Sequence, residues 1–180
     1  GWGVQQNRAQ AVVFYRKACS GGEALGCTNL AQAYQKGEGV PRDIDETVRI
    51  YQDACNRDIR DSCNNLGILY DNGEGVPQND GVAATYYGKA CDMQLAVACS
   101  NLGYMYDMGH GVPQDRARAV QLYQKACTGG SGLGCNNLGS SYERGIGGLP
   151  KDLNEARRHY AKGCGLGDKQ ACDNAAKLAH

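Results

Sequence analysis

The chain is predicted to be all-α: an α/α superhelix (solenoid) of antiparallel helix hairpins, each clipped at its turn by a C-x7-C disulfide. Three observations predict it. Cysteine pairs stand at one spacing at Cys19/Cys27, Cys55/Cys63, Cys91/Cys99, Cys127/Cys135 and Cys164/Cys172, and successive pairs recur every 36 residues with one step of 37. Behind the second cysteine of the first four pairs, Leu and Tyr lie four residues apart, as neighbours on one helical face do. Each of these segments then runs into a glycine-rich breaker. A unit of this size repeated at a fixed period cannot bury its apolar face alone and stacks on its neighbours.

The cysteine spacing constrains the backbone first. Residues eight apart are about 12 Å apart in a helix and about 26 Å in a strand, whereas a disulfide tolerates Cα atoms only to about 7 Å. A bonded pair therefore requires the chain to reverse inside every x7 segment. Ser20-Gly21-Gly22, Thr128-Gly129-Gly130 and Gly165-Leu166-Gly167-Asp168 supply turn residues. The segments Asn56 to Ser62 and Asp92 to Ala98 carry weaker turn signals. Ten cysteines, even in number and evenly paired, indicate an oxidising compartment. Zinc prefers C-x2-4-C spacings with His partners, and His110, His159 and His180 keep no register with the cysteines. Sequence does not fix connectivity, and pairing within each C-x7-C is the simplest arrangement.

One helix, here helix A, follows each second cysteine: Cys27 to Tyr34, Cys63 to Tyr70, Cys99 to Tyr106 and Cys135 to Tyr142. Between its Leu and Tyr stands Ala31, Gly67, Gly103 or Gly139, a small residue that marks close approach of another helix, since Gly otherwise weakens a helix. The breakers are Gly37-Glu-Gly-Val-Pro41, Gly73-Glu-Gly-Val-Pro77, Gly109-His-Gly-Val-Pro113 and the longer Gly145-Ile-Gly-Gly-Leu-Pro150. Glycine ends the helix and proline prevents its resumption. Asp43, Asn79, Asp115 and Asp152 are then placed to cap a second helix, helix B, with Glu46 and Glu155 in capping-box position. Helix B carries a small residue, an aromatic and a terminal cysteine, as in Val48/Tyr51/Cys55, Ala84/Tyr87/Cys91 and Val120/Tyr123/Cys127. The 180 residues thus read as one solenoid of about five 36-residue repeats that starts and ends within a repeat. Gly1-Trp-Gly-Val4 occupies a breaker position, and Cys172 to Ala179 has Ala where Leu and Tyr stood, as a terminal helix would.

Composition narrows the function classes. Net charge is zero, from 19 basic and 19 acidic residues, so no basic excess points to nucleic acid. Apolar runs such as Ala11 to Tyr15 are too short to span a membrane, and a start without Met or a signal-peptide pattern reads as a mature or trimmed product. Ser-x-x-Lys, HExxH, G-x-S-x-G and a P-loop are absent. Gly37-x-Gly39 resembles half of a dinucleotide fingerprint, but no strand precedes it. No catalytic residue, cofactor or metal is expected, and thiol redox catalysis fits poorly with bridges in short turns.

Asn-Leu-Gly-x-x-Tyr, the GxGVPxD loop and A-x-x-x-Tyr-x-x-A-C together resemble the SEL-one-like repeat (SLR) family, a relative of tetratricopeptide repeats, over essentially the whole chain. The clip at every repeat is similar to that of the Helicobacter cysteine-rich proteins within that family. The resemblance implies a secreted or periplasmic right-handed superhelix that mediates protein contacts. It also implies an alternative: β-lactam binding or weak β-lactamase activity on penicillin-like or peptidoglycan substrates.

The candidate binding residues lie on helix A. Asn29, Asn65, Asn101, Asn137 and Asn174 recur two residues after each second cysteine, and mid-helix Asn is unfavourable by propensity. One explanation is that the amide ties helix A to a neighbouring turn. The other is a ladder that hydrogen-bonds an extended peptide, as a similar ladder does on the concave face of tetratricopeptide proteins. If helix A lines the concavity as in those relatives, Thr28, Gln32, Gln35, Asn64, Ile68, Asp71, Ser100, Tyr104, Asp107, Asn136, Ser140 and Glu143 face it too. The expected partner is a protein or extended peptide with a basic residue near Asp71 and Asp107, apolar contact coming from Ile68, Tyr104 and Met108. The chain is expected to act as a monomer. His159 replaces Phe14, Ile50, Tyr86 and Leu122 and reads as a packed substitute.

Overall fold

The computed structural model describes residues 7–178, where every element is helical: α1 Arg8–Ser20, α2 Ala24–Lys36, α3 Ile44–Asn56, α4 Arg60–Asn72, α5 Asp80–Asp92, α6 Ala96–Met108, α7 Arg116–Thr128, α8 Gly132–Arg144, α9 Leu153–Gly165 and α10 Lys169–Lys177. The expectation for Gly1-Trp-Gly-Val4 lies outside the described residues. Odd-numbered helices are helix B of a repeat and even-numbered ones helix A. Two compact units divide the chain, the first with α1 to α4 and the second with α5 to α10. Inside each unit every helix packs on the next, and helix A also packs on helix A of the following repeat: α2 on α4, α6 on α8 and α8 on α10.

All ten cysteines are bonded in sequential pairs, with Cα–Cα distances from 4.3 to 4.7 Å. None is therefore available as a zinc ligand. Each clip turn has one residue in the left-handed region, at Gly22, Asp58, Gln94, Gly130 and Gly167. The two segments with weak turn signals thus make the same turn as the glycine-rich ones. Asp tolerates this conformation through local hydrogen bonding, whereas Gln gains less from it.

Helix A ends on Gly37, Gly73, Gly109 or Gly145, all left-handed, with the glycine N–H donating back into the last turn. Two residues on, Gly39, Gly75, Gly111 and Gly147 also have positive φ and lie against the first turn of the preceding helix B, at Arg8, Ile44, Asp80 and Arg116. A Cβ there would overlap that helix. The Gly-x-Gly pattern is therefore a helix stop followed by a close approach, and it follows a helix, not a strand.

Asp43, Asp115 and Asp152 cap α3, α7 and α9, accepting the N–H of Glu46, Arg118 and Glu155. The N–H groups of Asp43, Asn79, Asp115 and Asp152 in turn donate to the carbonyls of Tyr34, Tyr70, Tyr106 and Tyr142, tying each loop back to helix A. The predicted close approach is present where it can be measured. A Cβ on Gly103 would lie 2.7 Å from the Tyr123 ring, and one on Gly139 would lie 2.8 Å from the Tyr160 ring. These tyrosines, with Tyr51 and Tyr87, are buried, and Tyr123 packs in one cluster with Leu138, Cys127 and Cys135.

Candidate functional site

The exposed face of helix A in the second unit carries an open groove of about 300 Å³. Its lining comes from Tyr104, Asp107 and Met108 of α6, Tyr123 of α7, and Asn137, Ser140 and Arg144 of α8. Five positions expected at the binding face, Tyr104, Asp107, Met108, Asn137 and Ser140, are thus brought together. Tyr104 and Met108 are about half exposed, at 48% and 50%, and the Tyr104 ring meets His110 edge-on at a centroid distance of 5.8 Å.

Asp107 sits at the centre of the charge pattern and departs from expectation. It is buried, and its two carboxylate oxygens meet Arg116 Nε at 3.4 Å and Arg144 Nη2 at 3.5 Å. The basic partner expected for it is supplied by the chain itself. The carboxylate needs such a partner because an unpaired charge at that depth is costly. Beneath the groove, burial pushes the Tyr123 phenol well above its ordinary range, and Asp107 adds to the effect.

The row next to the asparagines is also corrected. Asn64, Ser100 and Asn136 are buried instead of facing outward. Ser100 Oγ lies 2.9 Å from Ser131 Oγ, the N-cap of α8, and Asn136 Oδ1 accepts from Asn174 Nδ2 at 2.9 Å. One residue of shift on a helix turns a side chain by about 100°, enough to aim this row at the next repeat.

The asparagine ladder divides in the same way. Asn174 is held by Asn136 and accepts from Gln170 Nε2 at 3.2 Å. The Asn65 amide hydrogen-bonds the Tyr51 hydroxyl of the preceding helix. Burial raises that phenol to about 12, and the Asn65 bond offsets part of the rise. These two amides make the structural tie. Asn29 and Asn137 are partly exposed and line grooves, Asn29 in a space of about 220 Å³ with Tyr15, Gln32 and Lys36. Asn101, Ile68 and Asp71 are partly buried. Glu143 accepts the Tyr160 hydroxyl at 2.6 Å, so it is engaged inside its own repeat.

Sequence reasoning missed Arg116 and Arg144. Arg144 occupies the register of Lys36, Asn72 and Met108, one residue beyond the row that contains Asp107. Charge alternation between adjacent rows was the available signal. His159 is packed as expected, stacked on Tyr142 at a centroid distance of 5.5 Å. Burial, with a contribution from Arg158, holds its pKa below the ordinary value. Among the described residues no cluster of His, Cys, Asp or Glu could hold a metal ion, and no helix is long and apolar enough to cross a membrane.

The family model for the Sel1 repeat matches residues 1–23, 24–58, 60–95, 96–131 and 132–168. A protective antigen of uropathogenic Escherichia coli strains that displays an SLR fold is 32% identical, with a TM-score of 0.86 over 99% of this chain and 38% of its own. The chain therefore spans well under half of that antigen's length. A Sel1 repeat protein from Oxalobacter formigenes is 30% identical, with a TM-score of 0.85 over 94% of this chain and 69% of its own. Helicobacter pylori cysteine-rich protein B is 32% identical, with a TM-score of 0.63 over 77% of this chain and 100% of its own. Comparison with curated protein sequences returns no match. With five matched repeats, five regularly spaced disulfides and the helix order of an SLR solenoid, the chain belongs to the Sel1 repeat (SLR) family.

Proposed function

We propose that this chain is a secreted or periplasmic binding scaffold that takes an extended polypeptide on the exposed face of its A helices. The observation that carries the reading is the groove of the second unit, where half-exposed Tyr104 and Met108 stand beside the polar groups of Asn137, Ser140 and Arg144. Apolar side chains that are not packed away, next to partly exposed donors and acceptors, suit a peptide backbone with an anchoring side chain. The five disulfides support an oxidising compartment. They also hold the hairpins in shape before a partner arrives, which lowers the ordering cost of binding.

The test is a peptide-library binding experiment on the wild-type chain and on Asn101→Ala/Asn137→Ala. Retained folding with at least about tenfold weaker binding is expected if the amides hold a peptide backbone. Unchanged binding would remove the ladder from the site, and Tyr104→Ala then tests the anchor separately.

A further inference from the structure

The second-unit groove has a charge pattern opposite to the one its sequence suggests. Asp107 brings one negative charge and Arg144 one positive charge to its lining, and Arg116, paired with Asp107 from beside the groove, brings a second positive one. The carboxylate is buried while both arginine side chains are 52% exposed, so the face shown to solvent is cationic. The carboxylate meets one nitrogen of each guanidinium, and Arg144 Nε also donates to the Ser140 carbonyl at 3.3 Å. A guanidinium has five N–H donors, so both keep donors beyond these contacts. Asp107 fixes where the two forks stand and leaves them short of one anion. Tyr104, braced by His110, and Met108 supply an apolar surface on the same groove wall.

We propose that this groove takes an extended peptide segment in which an internal Asp or Glu lies next to an apolar residue. The carboxylate seats on Arg144 and Arg116, and the apolar side chain rests on Tyr104 and Met108. Charge complementarity selects the occupant: a second acid in place of solvent completes an alternating cluster of two guanidinium and two carboxylate groups, whereas a basic residue would add a third cation. Bidentate guanidinium–carboxylate pairing adds geometric selectivity over an amide of the same shape. The inference rests on the binding-scaffold reading and goes further by naming the chemistry of the partner.

The experiment uses the full chain and an arrayed library of eight-residue peptides, acetylated and amidated so that no terminal carboxylate is present. Each peptide carries an apolar residue beside Asp or Glu, beside Asn or Gln, or beside Lys. A parallel set has a free C-terminus and no internal acid. The acidic set is expected to bind about tenfold tighter than its amide counterpart. Arg144→Gln and Arg116→Gln should each remove most of that preference while the circular dichroism of the fold stays unchanged. Equal binding of acid and amide sets overturns the proposal and leaves the scaffold reading standing. So does preference for Lys, preference for the free C-terminus, or acid preference that survives both substitutions. Absence of binding by every set overturns both.

Discussion

Gln35 in the first unit and Asp107 in the second occupy the same register of helix A, yet they organise opposite surroundings. Gln35 Nε2 donates to Glu74 at 3.0 Å, holding a carboxylate with a neutral side chain. Asp107 is itself the buried carboxylate and holds two arginines. The backbone around both is the same: a left-handed glycine ends the helix one residue past Lys36 and Met108, and a second glycine lies on the preceding helix B. The repeat therefore fixes a framework and leaves the side chain at this register free to change charge. Side-chain chemistry at this register differs between the two units while the frame is shared.

The framework half of the comparison makes the largest prediction. Gly39→Val in the first unit and Gly111→Val in the second each combine a positive φ with overlap of helix B backbone. Each should lower stability by at least about 3 kcal/mol, read as a drop in thermal midpoint. A large loss at one position and a small one at the other would show that the two frames are not equivalent. Next in size, Cys55→Ser/Cys63→Ser and Cys91→Ser/Cys99→Ser each release a nine-residue loop. Each double variant should cost about 2.5 kcal/mol in denaturant unfolding, and unequal losses would again separate the units.

The smallest effect is the response to pH, which sharpens the contrast in charge. Tyr51 in the first unit and Tyr123 and Tyr160 in the second have raised phenol pKa values, burial being the leading cause in each. A raised folded-state pKa gives stability that is complete below the unfolded value of about 10 and is lost as pH climbs past it. Both units should therefore weaken in alkali. His159 belongs to the second unit alone and its pKa is lowered by burial. A lowered value gives stability present above the unfolded value of about 6.5 and lost as pH falls below it. His159→Phe should flatten the acid limb of a stability-against-pH curve and leave the alkaline limb in place. An unchanged acid limb would show that His159 is not the group responsible.

Helix order, clip turns, stops and caps were legible because each rests on local chemistry that repeats. Gly37 ends a helix for the same reason as Gly145, and Asp43 caps for the same reason as Asp152. The turns at Asp58 and Gln94 were harder to read, because the left-handed residue there is not glycine and only the shared period reveals it. The site was less legible because its properties depend on pairs of repeats. Asn136 looks outward on a helical wheel, but Asn174, 38 residues on, takes it as a partner. Asp107 reads as a docking point for a base until Arg116 and Arg144 arrive from two later helices. Periodicity tells which face a residue occupies, and only the stacking of repeats tells whether that face is already filled.

Arg57, the residue that ends α3, reaches back to the clip of the preceding repeat. Its Nη1 donates to the Cys19 carbonyl at 2.9 Å, and its Nη2 lies 3.5 Å from Cys19 Sγ and 3.3 Å from Cys27 Sγ. The equivalent positions Gly21, Met93, Gly129 and Leu166 bear no charge. A guanidinium against sulfur favours thiolate, the leaving form when an attacking thiol opens a disulfide. Under limiting dithiothreitol, Cys19–Cys27 should alkylate ahead of Cys91–Cys99, and Arg57→Gln should erase that lead; an unchanged order would rule the charge out. A protein stiffened by five bonds would then open first at the clip that follows its first helix.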